Sequence, residues 1–158
     1  MNNRLSDLLR IMIAGMAVCG MIIYFFAFPH LGKELATQFP EFSGCFWPWL
    51  IFLWCTGIPC YFVLFQMWKV TETIRKDRIF VMDNVKRITL ISKSALLDST
   101  FFLAGNIILL LFSMNHPSIV ILSLGIAFAG YSIAIIAYAF ATLVRKAVVL
   151  QEENDLTI

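Results

Sequence analysis

Ile11 to Phe28 is an unbroken stretch of 18 residues without a formal charge, long enough as a helix to cross the roughly 30 Å hydrocarbon core of a bilayer. Such a stretch has three possible fates: burial in a large soluble core, removal as a leader, or retention in lipid. The first fails on composition, because a 158-residue chain that is 60% apolar and 14% charged, with mean hydropathy +0.83, has too little polar surface to cover a water-soluble globule. The second fails on detail. Arg4 and Arg10 precede the run as in a signal peptide, yet the run exceeds the usual apolar region and ends in Phe28-Pro29 without a small-residue cleavage pattern. It reads as a membrane helix.

Three more apolar runs follow. Trp47 to Trp68 is bounded by Trp47, Trp49 and Trp68, amphipathic rings that favour the headgroup level, and at 1.5 Å per residue their separation of 21 residues spans roughly 31 Å. Inside it, Thr56-Gly57-Ile58-Pro59 predicts a kink, and the acceptors freed by Pro59 need the Thr56 hydroxyl, a neighbouring helix or water. Ala95 to Met114 is the third run, interrupted by Asp98 and Asn106. Asn115-His116-Pro117-Ser118 is a tight reversal, with Ser118 the expected cap of the fourth run, Ile119 to Val144, so the last two helices should form an antiparallel hairpin. Between the first two runs, Pro29 to Phe46 reads as a loop with a short interfacial helix over Leu31–Phe39. The expected architecture is all-α: an integral membrane four-helix bundle forming one domain over residues 1–158. Its spans lie over about 9–29, 46–69, 95–114 and 118–145, with a helical connection over 70–94 and a tail over 146–158.

The charges orient this bundle. Lys and Arg number two at the start, seven in the segment Lys69, Arg75, Lys76, Arg78, Lys86, Arg87 and Lys93, and two at Arg145 and Lys146, while only Lys33 falls on the other side. The positive-inside rule then places both termini and the middle segment in the cytoplasm. Within that segment, helix two is expected to run to about Arg75. A turn then covers Lys76–Met82, and Asp83 or Asn84 caps the next helix. Phe80 sits in the turn, dipped onto the membrane surface or the bundle, and Val81, Val85 and Ile88 form an apolar stripe.

Chemistry-bearing residues are few. Cys19, Cys55 and Cys60 lie in apolar runs and read, with Cys45, as thiols rather than a disulfide framework. Phosphate-loop, GxSxG, HExxH and paired intramembrane aspartate signatures are missing, so neither an enzyme nor a cofactor is expected. His30 and His116 share the outer side with Glu34, Glu41 and Cys45, but no HxxxH or CxxC spacing supports a metal site. Asp98 is the one acid within an apolar run and with Asn106 forms a candidate intramembrane polar site; the competing reading is a structural ion pair with Arg145 and Lys146 at the same level. Ser123, Ala127, Gly130, Ala134, Ala137 and Ala141 repeat every three or four residues, a small-residue face suited to close helix packing, within the chain or in another protomer. The basic middle segment, pinned between spans, reads as facing anionic lipid rather than nucleic acid.

The stretch FQMWKVTETIRKDRIFVMDNVKRITLISKSALL, the Ile58-Pro59 pair and the ending Glu153-Asn154-Asp155-Leu156-Thr157-Ile158 resemble a bacterial four-span family catalogued as domain of unknown function number twenty-nine seventy-five. That family usually ends Glu-Asn-Asp-Leu-Thr-Val, and Ile158 replaces its valine. The resemblance implies a bacterial inner-membrane protein whose gene often accompanies one for a small helix-turn-helix regulator. It suggests a non-enzymatic interaction or signalling protein that docks such a regulator on Arg75, Lys76, Arg78, Phe80 and Asn84 together with Glu153, Asn154, Asp155 and Leu156 of the tail. A homo-oligomer is expected because four spans make a thin core. The rival expectation is a small transporter or channel component built on the Pro59 kink and Asp98.

Overall fold

The computed structural model describes residues 2–76 and 78–155, and among them every regular element is helical. The order is α1 (Asn2–Ile22), a π-helical step (Ile23–Ala27), α2 (Phe28–Gln38), a 3-10 turn (Pro40–Cys45), α3 (Phe46–Arg75), α4 (Met82–Leu111) and α5 (Pro117–Asp155). Four rods are long and apolar enough to cross a membrane, over Arg4–Gln38, Pro40–Arg75, Met82–Leu111 and Pro117–Asn154.

The first rod does not stop at Pro29. Phe28 donates its N–H five residues back to Ile23 O, and Pro29 has no N–H to give, so the Tyr24 carbonyl has no helical donor. The Trp54 indole on α3 supplies one, with Nε1 donating to Tyr24 O at 3.0 Å. The segment expected as a loop with a helix from Leu31 is therefore mostly α2, which starts at Phe28 and continues α1 through the π step.

Four helix ends differ from expectation. At the α3–α4 turn the cap is Val81, with no side-chain bond; Asp83 sits in the first turn and accepts from Arg87 Nε at 2.9 Å, while Asn84 turns inward. Helix α4 ends at Leu111 in a Schellman motif, with Met114 N–H donating to Leu109 O at 2.8 Å and Ser113 N–H to Leu110 O at 2.9 Å. Ser113 has φ 57°, the left-handed conformation glycine usually supplies. Helix α5 is capped by His116 rather than Ser118, because Ser118 N–H donates to His116 Nδ1 at 3.2 Å and Pro117 occupies the first helical position. Nor does α5 stop at Val144; its buried stripe continues through Val144 and Val148, so the expected tail is helix as far as Asp155.

The rods pack in chain order. α3 lies between α1 and α4, α4 lies between α3 and α5, and among the described residues α1 touches neither α4 nor α5. The four helices thus form an open array. Arg10 of α1 stacks over Trp68 at 5.2 Å, and Val148 of α5 packs with Val85 of α4, so both chain ends lie beside the α3–α4 turn. We call this the basic end. The opposite end holds α2, the 3-10 turn and the α4–α5 turn.

Candidate functional site

At about 1.5 Å per residue, the 39 residues of α5 reach roughly 58 Å and the 30 residues each of α3 and α4 about 45 Å, well beyond a hydrocarbon core. At the basic end the helices form a packed platform. Its core is Val85 and Ile88 of α4 with Ala141, Val144 and Val148 of α5, and Val70 of α3 closes against them. The turn is tied from within: Asn84 Nδ2 donates to Ile79 O at 2.8 Å and to Arg78 O at 3.4 Å. Thr73 Oγ1 lies 2.7 Å from Asn84 Oδ1 and 2.6 Å from Val70 O, one hydroxyl proton serving both acceptors.

These bonds sort the candidate docking residues. Asn84 is 1% exposed with its amide fully used, so it belongs to the scaffold and drops out of the docking surface. Arg75, Arg78 and Phe80 remain exposed around the turn, Phe80 at 50% rather than folded onto the bundle. Lys76 is exposed but shares Glu72 with Lys69, at 3.6 and 3.8 Å. Arg87 bridges Asp83 and Gln66, donating Nη1 to Gln66 Oε1 at 3.2 Å, a brace between α3 and α4 that composition alone did not suggest. Glu153 and Asn154 lie on the exposed last turn of α5, each engaged in a contact, and Asp155 closes the helix. Leu156 lies outside the described residues.

The intramembrane pair separates. Ser92 Oγ donates to Ala134 O at 2.7 Å and Thr100 Oγ1 lies 3.2 Å from Tyr131 Oη, so Asp98 sits level with the middle of α5. From Tyr131 to Arg145 is about 21 Å along α5. The expected ion pair with Arg145 and Lys146 is therefore absent. Asp98 instead faces α3, where Cys60 Sγ donates to Oδ2 at 3.6 Å, while Oδ1 is buried without a hydrogen-bond partner. Cys60 directly follows Pro59 within α3, and one turn away Thr56 donates to Leu53 O at 2.7 Å and accepts from Tyr24 at 3.4 Å. Asn106 is part of a different structure: 1% exposed, it donates to Phe102 O at 2.9 Å and accepts from Asn115 Nδ2 at 3.0 Å, bracing the α4–α5 turn.

The small-residue face of α5 lies against α4 of the same chain. Ser123, Ala127, Ala134 and Ala141 are buried, Gly130 and Ala137 are half-buried, and a Cβ on Gly130 would run into Ser99. At the opposite end, His30 meets Glu34 on α2 at 3.9 Å and His116 is occupied as the α5 cap; among the described residues no three His, Cys, Asp or Glu side chains gather as a metal site.

With this geometry in view, comparison with known families is decisive. Residues 30–158, which take in α3 to α5 and all but the first two residues of α2, match the family described as Protein of unknown function (DUF2975). The chain belongs to that family. It is also 30% identical over 159 residues, covering 99% of both chains, to the Uncharacterized membrane protein YoaS of Bacillus subtilis (strain 168), so that likeness takes in α1 as well. No solved structure matches. A multi-pass membrane protein is thus supported twice, by four apolar rods and by a full-length relative described as a membrane protein.

Proposed function

We propose that this DUF2975 protein is a non-enzymatic interaction protein of the bacterial inner membrane that uses the basic-end platform to dock a small cytoplasmic DNA-binding regulator. The observation that carries the reading is a helical platform with its own apolar core at the basic end, ringed by exposed Arg75, Arg78 and Phe80. Guanidinium groups beside an exposed aromatic ring suit an acidic protein surface with an apolar pocket. The acidic end of α5 offers the complementary charge to a basic partner. Both termini and the platform lie in the cytoplasm on this reading, as the charge asymmetry favours, and the uncovered faces of an open array favour a homo-oligomer.

Purification of the tagged full-length protein should retain a DNA-binding protein that is lost with Arg78→Glu plus Phe80→Ala and with removal of residues 152–158. If the wild-type protein retains none, the docking reading is wrong. Orientation is checked separately: Cys45 should react in intact cells with a membrane-impermeant thiol reagent, and protection there against reaction in inverted vesicles would reverse the topology.

One observation favours a second reading, a small transporter or channel component. Asp98 Oδ1 is buried without a partner next to a proline-containing helix, an arrangement that can receive a proton or cation. Ion flux in proteoliposomes that disappears with Asp98→Asn while assembly persists would select it.

A further inference from the structure

We infer that the cavity at the end opposite the platform is a binding site for one small uncharged apolar ligand, about the size of a benzene ring or a six-carbon chain, with a single hydrogen-bonding end. The cavity measures about 180 Å³, is half open to its surroundings, and is walled by α2, the 3-10 turn, the start of α3 and the α4–α5 turn. An engineered protein cavity of about 150 Å³ stays dry and takes benzene, which sets the scale of the occupant. Five aromatic rings line it, those of Phe28, Phe39, Phe42, Phe46 and Trp49, and Leu50, 3% exposed, forms part of its wall. No carboxylate, ammonium or guanidinium group lines it, so an ion would lose its hydration without replacement. Water is poorly served too, since a buried water needs two to four polar partners.

The walls are held open by bonds that need no ligand. Gly32 brings α2 so near α3 that an added Cβ would lie 2.8 Å from the Phe46 ring. Ser43 Oγ donates to Pro40 O at 2.8 Å and Phe42 N–H to Phe39 O at 2.9 Å, fixing the 3-10 turn. On the far wall Asn115 is 6% exposed, donating to Asn106 and accepting from His116 N–H at 3.0 Å. His116 Nδ1 accepts from Ser118 N–H, so the neutral ring carries its proton on Nε2 and, like the Trp49 indole, can donate to an acceptor on the ligand. The rings are thus pre-arranged along the walls of the space, the condition under which an apolar ligand binds without ordering its own site.

Hydrocarbon of this kind has two sources, an acyl chain of the surrounding bilayer or a free small amphiphile, and one experiment separates them. The full-length protein in lipid nanodiscs is titrated with 4-bromobenzyl alcohol, whose bromine quenches tryptophan fluorescence, and the Trp49 signal is taken as the difference between wild type and Trp49→Phe. Saturable quenching is expected, with half-saturation at least tenfold weaker in Ala36→Leu, which puts an isobutyl group into the cavity, at an unchanged melting midpoint. Should Ala36→Leu fail to fold, Ala36→Val carries the same test with a smaller weakening. In nanodiscs of chain-brominated lipid without the alcohol, Trp49 quenching relieved by Ala36→Leu identifies the acyl chain. Quenching by that lipid indifferent to Ala36, beside a saturable alcohol response, identifies a free amphiphile. Quenching that rises linearly with the alcohol and does not depend on residue 36 with either probe overturns the site.

Discussion

The two helix seams at either side of the array are built on opposite principles. Between α4 and α5 the backbones approach each other, because Gly130 and the alanines of the α5 stripe leave room and Ser92 can reach the Ala134 carbonyl. Between α1 and α3 long side chains reach across instead: Tyr61 donates to Ala17 O at 2.8 Å, Trp54 donates to Tyr24 O, and Arg10 stacks on Trp68. In lipid, where apolar surface is at home anyway, the first seam gains van der Waals contact along its whole length. The second gains a few bonds at discrete points. Helix α1 accordingly buries only Ser6 and Ile13 among its described side chains.

This contrast breaks most sharply at glycine. Gly130→Leu should separate the α4–α5 seam and cost about 3 kcal/mol, since the new side chain meets Ser99 and the adjoining backbone has no room to yield. Gly15→Leu on α1 faces open space and should change stability by less than about 0.5 kcal/mol. Thermal unfolding in one detergent measures both. Equal losses would show that both seams depend on close approach.

The reaching seam should break at the indole. Trp54→Phe leaves the Tyr24 carbonyl, which Phe28 and Pro29 do not serve, without its donor, at a cost of about 1–3 kcal/mol. Tyr61→Phe removes the hydroxyl that serves Ala17, a carbonyl within α1, and should cost about 1 kcal/mol or less. Amide exchange around residues 23–28 should accelerate in the first variant and not in the second. If both behave alike, the π step does not depend on Trp54.

The same division explains what could be read beforehand. The α5 stripe has a period, so the closely packed face was visible in sequence, although only the structure shows that α4 covers it and that Val144 and Val148 extend it past the charges at Arg145 and Lys146. The α1–α3 seam has none. It depends on where a tryptophan and a tyrosine of α3 meet carbonyls of α1, which no local pattern encodes. The partner of Asp98 was misjudged for a related reason: span ends alone set it level with Arg145 and Lys146, whereas the register of α4 with α5 puts it opposite the middle of α5. Asn84 illustrates a local ambiguity, because an amide two residues into a helix can cap it or reach back to the preceding turn, and here the Arg78 and Ile79 carbonyls compete successfully. The apolar cavity draws its walls from separate segments of the chain, so its five rings form no motif in sequence.

The smallest test concerns what sets the α4–α5 seam in register. Ser113 closes α4 with φ 57°, a conformation that costs an L-residue roughly 1 kcal/mol and glycine almost nothing. Part of the gain from Ser113→Gly is returned through the greater freedom of glycine in the unfolded chain. A net stabilisation of about 0.5 kcal/mol is expected, which for a chain of this length raises the melting midpoint by roughly 1–2 °C. If the seam alone fixes the register, the increment should be the same in the Gly130→Leu background, because the two sites are far apart and share no partner. If the turn, braced by Asn106 and Asn115, fixes it instead, relieving Ser113 should recover part of what Gly130→Leu loses. A larger increment in the double variant than in the single one would therefore assign the register of these two helices to the turn rather than to the small residues between them.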